Sequence, residues 1–373
     1  MSHYFISCGG TGGHLAPGIA LAEGLLARGH TATLLISQKK IDARLSEKYP
    51  RLLFLRMPGS GFAWSPVQLA RCCLSQFQAF RFCCALIRTE RPDAIVGFGG
   101  FTSAPVVFAG RLARLPIVLH ESNRVPGRAI RTLGRFAARV YLPEGIRIGR
   151  VPAAITRHAG MPVRQEIAPL PAEAARAALG FNPSQKLLVV FGGSQGASAL
   201  NDWARAARAD LAAEGIQLCC VTGPGKGEVE AGESLSRNGA MVRFQFLPFS
   251  DRVAELLSAA DLVVARAGAG TIAELIRCAA PAILVPFPHA ADDHQRANAA
   301  HFAHEGGGLV VEQAALPNLL VTAVSLISND ARLQEIRGAL RRMSQGNPLE
   351  LMIGDLEQLA LAHSASHPRP RLT

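Results

Sequence analysis

Cys8-Gly9-Gly10-Thr11-Gly12-Gly13-His14 stands between a short apolar run, Tyr4-Phe5-Ile6, and an amphipathic segment that begins at Pro17. Four glycines and one imidazole leave the backbone unshielded. Such a turn lets bare N–H groups approach an anion, usually a phosphate, and a helix that follows adds its partial positive charge. A strand, a glycine turn and a helix in that order are the first half of a βα unit, so this stretch predicts an α/β chain built on parallel sheets.

The same alternation continues outward from that turn. Apolar, β-branched runs predict strands at 3–8, 31–36, 51–56, 93–98, 116–120 and 139–142, and a second series at 186–191, 216–222, 241–247, 261–265, 281–285 and 308–312. Between the two series, Met161 to Pro171 carries three prolines and no periodicity, which reads as a linker. The predicted organisation is a first domain over 1–160, the linker 161–171, a second domain over 172–362 and a frayed tail 363–373. Two Rossmann-like domains joined in this way would face each other across a cleft at the carboxyl ends of their strands, where ligands of α/β sheets bind. Glycine turns recur at those ends: Gly97-Phe98-Gly99-Gly100-Phe101, Gly192-Gly193-Ser194-Gln195-Gly196 and Arg266-Ala267-Gly268-Ala269-Gly270-Thr271.

With 373 residues, the chain is longer than one core usually supports. No apolar run is long enough to cross a bilayer and the N-terminus lacks a secretory pattern, which predicts a chain that stays in the cytoplasm. The eight cysteines contain no C-x-x-C pair, so they read as reduced and mostly buried thiols. Residues 1–164 hold 22 Lys/Arg against 7 Asp/Glu, whereas the remainder holds 17 against 21. The basic half points to an anionic partner, which charge alone leaves open among nucleic acid, an acidic lipid surface and a phosphorylated substrate. Within it, Phe62, Trp64, Leu69, Phe77, Phe80 and Phe82 are interleaved with Arg71, Arg81 and Arg88. The face carrying Phe77, Phe80, Cys84 and Ile87 reads as helix packing. Phe62, Trp64, Leu69 and Arg71 read as contacts to an anionic membrane surface.

Each motif has a competing reading. Gly192 to Gly196 matches the G-x-S-x-G nucleophile elbow, with Asp261, His289 and His294 as conceivable partners, so a serine hydrolase at Ser194 competes. An elbow explains none of the other three turns, whereas phosphate contact explains all four. Gly268 to Ala273 fits G-x-G-x-x-A, but no acidic residue ends the following strand, which argues against NAD. Glu274 suits a ribose diol or simple pairing with its helix dipole. His289, Asp292, Asp293, His294, His301 and His304 form a cluster in which a metal is conceivable, although a solvated face is commoner. Gly223-Pro224-Gly225-Lys226-Gly227 lacks the spacing of a P-loop and reads as a turn. His14 either bonds backbone or serves as a general base near neutral pH.

Taken together, Gly9 to His14, Gly99-Gly100-Phe101, His120-Glu121-Ser122-Asn123, Gly160 to Arg164, Gly192 to Ala197, Arg266 to Glu274 and His294-Gln295 with Asn298-Ala299 resemble the MurG family of peptidoglycan N-acetylglucosaminyltransferases, over nearly the whole chain and in order. The resemblance implies a GT-B fold and inverting transfer of N-acetylglucosamine (GlcNAc) from UDP-GlcNAc to the 4-hydroxyl of N-acetylmuramic acid (MurNAc). The acceptor would be undecaprenyl-pyrophosphoryl-MurNAc-pentapeptide (lipid I), and the product lipid II for cell-wall growth. It implies a donor site in the second domain: Ser250 at uracil with Arg266 close by, Glu274 at ribose, and Ser194 with Ala269, Gly270, Thr271, Ile272 and Ala273 at the diphosphate. Gln295 and Asn123 would reach the sugar, Arg164 would bridge from the linker, and Thr11, Gly12 and Gly13 would complete the cleft. Gly10, Gly99, Gly100, Phe101, Glu121 and His14 would take the acceptor, with His14 the first choice of base and Glu121 the second.

No metal or cofactor would be required, UDP-GlcNAc being the donor substrate. The implied partners are the two substrates and the anionic cytoplasmic face of the inner membrane, not nucleic acid, with room for other cell-wall synthesis proteins. The alternatives are another lipid-directed UDP-sugar transferase or epimerase of this fold, a nucleotide-sugar-binding subunit, and the hydrolase. The family usually has Asn at Met161 and Tyr at Phe101, which bears on linker hydrogen bonds and one acceptor contact.

Overall fold

A computed structural model describes residues 1–10, 12–38, 46–59, 66–193 and 196–366. The chain divides into two units, Met1–Gln165 with Asn347–Thr373, and Glu166–Gly346.

The first unit is a seven-stranded parallel sheet. Its strands are β1 (His3–Ser7), β2 (Thr31–Ile36), β3 (Leu53–Arg56), β4 (Ala94–Gly97), β5 (Ile117–His120), β6 (Arg139–Leu142) and β7 (Thr156–His158), in the order β3-β2-β1-β4-β5-β6-β7. The order reverses at β1, the switch point at which α/β sheets take ligands. Register puts Ser7 opposite Gly97 and Gly97 opposite Leu119, so the chain leaves β1, β4 and β5 at one level. The helix Gly12–Ala27 buries Leu15, Ile19, Leu21, Ala22 and Leu25 against one face of the sheet. Cys83, Ile87, Val106 and Ala109 cover the other face.

The second unit repeats the plan. Its strands are β8 (Leu187–Phe191), β9 (Gln217–Val221), β10 (Glu230–Leu235), β11 (Met241–Leu247), β12 (Leu262–Ala265), β13 (Ala282–Leu284) and β14 (Gly308–Val310), in the order β10-β11-β9-β8-β12-β13-β14. Every pairing is parallel except β10 with β11.

All twelve strands expected from periodicity are present. β7 and β10 were not expected: one is three polar residues at an edge, the other alternates half-buried and exposed positions without an apolar run. The C-terminal end of the expected second domain and residues 363–366 of the expected tail differ, because Pro348–Ser366 is one helix that belongs to the first unit. Met352, Ile353, Leu356 and Ala360 are buried in the β1 core. Arg28 pairs with Glu350 and, at 3.0 Å, with Glu357, which also meets His30 at 3.0 Å; the Tyr141 hydroxyl donates to Asp355 at 2.6 Å. A domain boundary at 362 therefore misses the return of the chain after Gly346, because local periodicity does not say against which sheet a helix packs. Residues 367–373 lie outside the described part.

Leu356→Ala removes a side chain with no solvent exposure and should cost ~2–5 kcal/mol. In urea unfolding followed by segment-resolved hydrogen exchange, the loss should fall on residues of the first unit and spare β8 to β14.

Candidate active site

In the first unit, the glycine turns after β1 and β4 meet. Gly99 and Gly100 have φ of 96° and 73°, which favours glycine, and the His14 imidazole lies over them. A Cβ built on Gly99 would be 3.4 Å from His14 Nε2, and one on Gly100 would be 3.2 Å from Nδ1. The Phe101 ring packs beside Gly10, 3.2 Å from where a Cβ would stand. Thr102 Oγ1 donates to the Gly9 carbonyl at 3.1 Å, and Ser103 Oγ donates to the Gly99 carbonyl at 2.6 Å while accepting from Gly99 N at 3.1 Å. Sequence reasoning passed over these two buried hydroxyls. The available signal was Thr-Ser at a helix start directly after a glycine turn.

Glu121 follows β5 and is buried. Its Oε1 accepts from Asn123 N at 2.8 Å and Asn123 Nδ2 at 3.0 Å, and its Oε2 accepts from Gly127 N at 2.6 Å. These three bonds organise the 121–127 loop and orient Asn123. Beside it, burial pushes the His120 imidazole down to about 4, partly opposed by its 3.0 Å hydrogen bond to the Gly160 carbonyl. Arg164 belongs to this unit and donates to the Tyr49 hydroxyl at 3.1 Å. Gly12 and Gly13 open the first helix.

In the second unit, three loops leave the sheet together, because Phe191 of β8 is opposite Val221 of β9 and Ala265 of β12. The helix Ala269–Arg277 begins there, with Gly268 extended at its N-cap. Its first intrahelical bond is Ile272 N to Gly268 O at 3.0 Å, so the N–H groups of Ala269, Gly270 and Thr271 precede the ladder and can meet an anion. Residues Gly268 to Glu274 are partly accessible, and Ser250 Oγ accepts from Arg252 N at 3.1 Å.

The buried guanidinium of Arg266 donates to the Val285 and Pro286 carbonyls at 3.1 and 3.2 Å and to Gln313 Oε1 at 2.6 Å, bonds that brace the unit beside this helix start. Gln295 Oε1 accepts from Phe287 N at 3.0 Å, which leaves its amide nitrogen as the group to offer a ligand.

Thr11, Phe62, Trp64, Ser194 and Gln195 lie outside the described residues. Asp261, the acid of the hydrolase reading, stands at the amino end of β12, bound by Arg176 at 2.7 Å and Leu187 N at 2.8 Å. Among the described residues, no group of three His, Cys, Asp or Glu could hold a metal ion; His294 Nδ1 instead lies 2.6 Å from the Ala291 carbonyl. The cysteines are unbridged, and burial pushes the Cys83, Cys219, Cys220 and Cys278 thiols up to about 12.

On the long helix Pro66–Glu90, Phe77 was expected to pack inward and does not. Leu69, Leu74 and Phe77 are 40, 60 and 57 % exposed, alongside exposed Arg71, Arg81 and Arg88. Cys72, Ala79, Cys83 and Ile87 form the inner face. No described helix is long and apolar enough to cross a membrane.

Two doubly wound units, each with glycine turns at the carboxyl ends of its strands, match the N-terminal domain of glycosyltransferase family 28 at residues 4–142 and its C-terminal domain at residues 187–344, which defines a glycosyltransferase. The chain is 59% identical over 366 residues to the UDP-N-acetylglucosamine--N-acetylmuramyl-(pentapeptide) pyrophosphoryl-undecaprenol N-acetylglucosamine transferase of Opitutus terrae, covering 98% of this chain and 97% of the relative. It is 39% identical over 319 residues to the protein of the same name from Parasynechococcus marenigrum, covering 84% of each. The crystal structure of MurG from Acinetobacter baumannii superposes with a TM-score of 0.72 at 26% identity, covering 96% of this chain and all of that one. The chain therefore belongs to the MurG family of glycosyltransferases, with the GT-B fold.

Burial of His120 has a consequence for stability. The unfolded imidazole binds its proton near pH 6.5 and the folded one only near 4. The unfolded state therefore holds more protons in that window, and stability falls as pH drops from about 6.5 to about 4, by on the order of 3 kcal/mol. In urea titrations across that range, His120→Gln should flatten the slope; an unchanged slope would assign the acid lability to other groups.

Proposed function

We propose that the chain transfers GlcNAc from UDP-GlcNAc to the 4-hydroxyl of MurNAc in undecaprenyl-pyrophosphoryl-MurNAc-pentapeptide, with inversion, to give lipid II. The observation that carries this reading is the 59% identity along nearly the whole chain to a protein named for that transfer. The second unit takes the donor. Its diphosphate lies on the helix start at Ala269 to Thr271 and on the glycine turn after β8, with Glu274 at the ribose diol. The first unit takes the acceptor at Gly10, Gly99, Gly100 and Phe101.

The chemistry follows from charge. The acceptor oxygen attacks the anomeric carbon, the bond from that carbon to the β-phosphate oxygen breaks, and UDP leaves with the electron pair. Fixed N–H donors and a helix N-terminus offset the growing negative charge where it appears, and losing one such donor typically costs about 3 kcal/mol. These groups perform the neutralisation in this reading, without a metal or other cofactor. The acceptor hydroxyl must lose its proton, and the His14 imidazole, held over Gly99 and Gly100, receives it.

The protein would work on the cytoplasmic face of the inner membrane, where its lipid-linked acceptor lies. Exposed Leu69, Leu74 and Phe77 beside Arg71, Arg81 and Arg88 support that placement. Apolar side chains enter the acyl boundary while guanidinium groups meet anionic headgroups.

Purified protein should transfer labelled GlcNAc from UDP-GlcNAc to a lipid I analogue, with EDTA present. A folded chain that transfers nothing would sink the reading, and loss of transfer only on adding EDTA would sink its metal-free form. His14→Ala should lower kcat by ~10²–10⁴ with donor KM nearly unchanged, as befits a general base; weaker donor binding at unchanged kcat would make His14 a ligand instead.

The double variant Leu74→Ser/Phe77→Ser should lose binding to vesicles rich in anionic lipid while keeping turnover of a soluble acceptor. Full retention on those vesicles would remove this helix from the membrane contact.

A further inference from the structure

The run Gly223-Pro224-Gly225-Lys226-Gly227 reads as a plain turn in sequence, yet its placement gives it more to do. It follows β9, and β9 pairs with β8, so this loop and the glycine turn 192–197 leave the sheet side by side. The two are in contact. Gly196 sits so close to its neighbour that a Cβ there would be 2.1 Å from the Thr222 carbonyl oxygen. Asn201 Nδ2, from the helix that follows the turn, donates to that same carbonyl at 2.9 Å and is buried. Across this seam, Lys226 Nζ donates to the Gly196 carbonyl at 3.0 Å, and the lysine is exposed.

On the other side of β8, β12 delivers the helix start at Ala269. Gly196 thus carries an ammonium group on its carbonyl, and the neighbour strand on the other side of β8 leads into a helix N-terminus. An ammonium is a compact charge with three donors, so one bond to a carbonyl leaves two for another acceptor.

We propose that Lys226 is a ligand of the donor's diphosphate, an inference that rests on the assignment of the donor to the second unit. One N–H stays on the Gly196 carbonyl, which fixes the ammonium over the turn, and another reaches a phosphate oxygen. The cation screens the partial negative charge of that carbonyl from the diphosphate. When the bond between the anomeric carbon and the β-phosphate oxygen breaks, the electron pair remains on UDP beside Lys226, which keeps its proton throughout. The interaction therefore strengthens as the leaving group forms.

The test uses the full chain and three probes, UDP, UMP and uridine, titrated calorimetrically into the parent, Lys226→Met, Lys226→Gln and Lys226→Arg. Loss of one hydrogen bond to a charged group should weaken UDP about 10- to 100-fold in the Met and Gln variants. Uridine affinity should be unchanged, and Arg should recover most of the loss. The salt dependence of UDP binding should flatten in the two neutral variants. Equal weakening of UDP and uridine in all three variants would make Lys226 a brace for the loop and overturn the proposal. So would UDP affinity that no variant changes. A folded parent that binds neither UDP nor uridine would instead overturn the assignment of the donor to this unit, and the proposal with it.

Discussion

The parallel register of two short groups of strands is the constraint on which the rest of the molecule depends. Ser7, Gly97 and Leu119 are level in one sheet, and Phe191, Val221 and Ala265 in the other. Because parallel strands all end on the same side, every connection that follows them starts from one plane. Large side chains there would fill the space that backbone N–H groups need in order to reach an anion. Glycine at these exits is thus a consequence of chemistry imposed on a sheet whose interior is ordinary Val, Leu and Ile packing.

Turns made of glycine are floppy unless something fastens them, and the fastening is polar and buried. Thr102 and Ser103 hold the Gly9 and Gly99 carbonyls, Glu121 gathers three loop donors, and Asn201 and Asn298 close the Thr222 and Ala267 carbonyls. A buried polar group without its partner is costly, so each of these bonds fixes one geometry and excludes others. Glu121 and Arg266 are instructive. The resemblance names both as site residues, and in the fold both also carry hydrogen bonds of the scaffold around the site.

Legibility in sequence followed the length scale of the physics involved. The twelve apolar strands were readable because most are buried on both faces, which writes a local run, and the glycine turns because their composition is extreme. Periodicity could not reveal β10, whose Glu-Ala-Gly-Glu-Ser-Leu lies at an edge and is stabilised by pairing with β11, nor the destination of the C-terminal helix. The face of Phe77 was misjudged for a related reason. Apolar spacing identifies a stripe but not which of two adjacent stripes the sheet covers, and Cys83 and Ile87 won that place. Side-chain direction at the site was least legible, since whether Arg266 points to a ligand or to Val285 depends on atoms far apart in the chain.

The returning helix also alters the meaning of the charge asymmetry. Residues 347–366 bring Glu350, Asp355 and Glu357 to the basic first unit, where Arg28, Arg139 and His30 take them up. These carboxylates offset cations on the side of the sheet that carries the helix, while Arg71, Arg81 and Arg88 stand on the helix Pro66–Glu90 over the other face. Arg71, Arg81 and Arg88 thus share their helix with exposed Leu69, Leu74 and Phe77, away from the carboxylates of the returning helix. Interfacial binding needs apolar area and cationic charge on the same surface, since either alone gives weak, reversible adsorption.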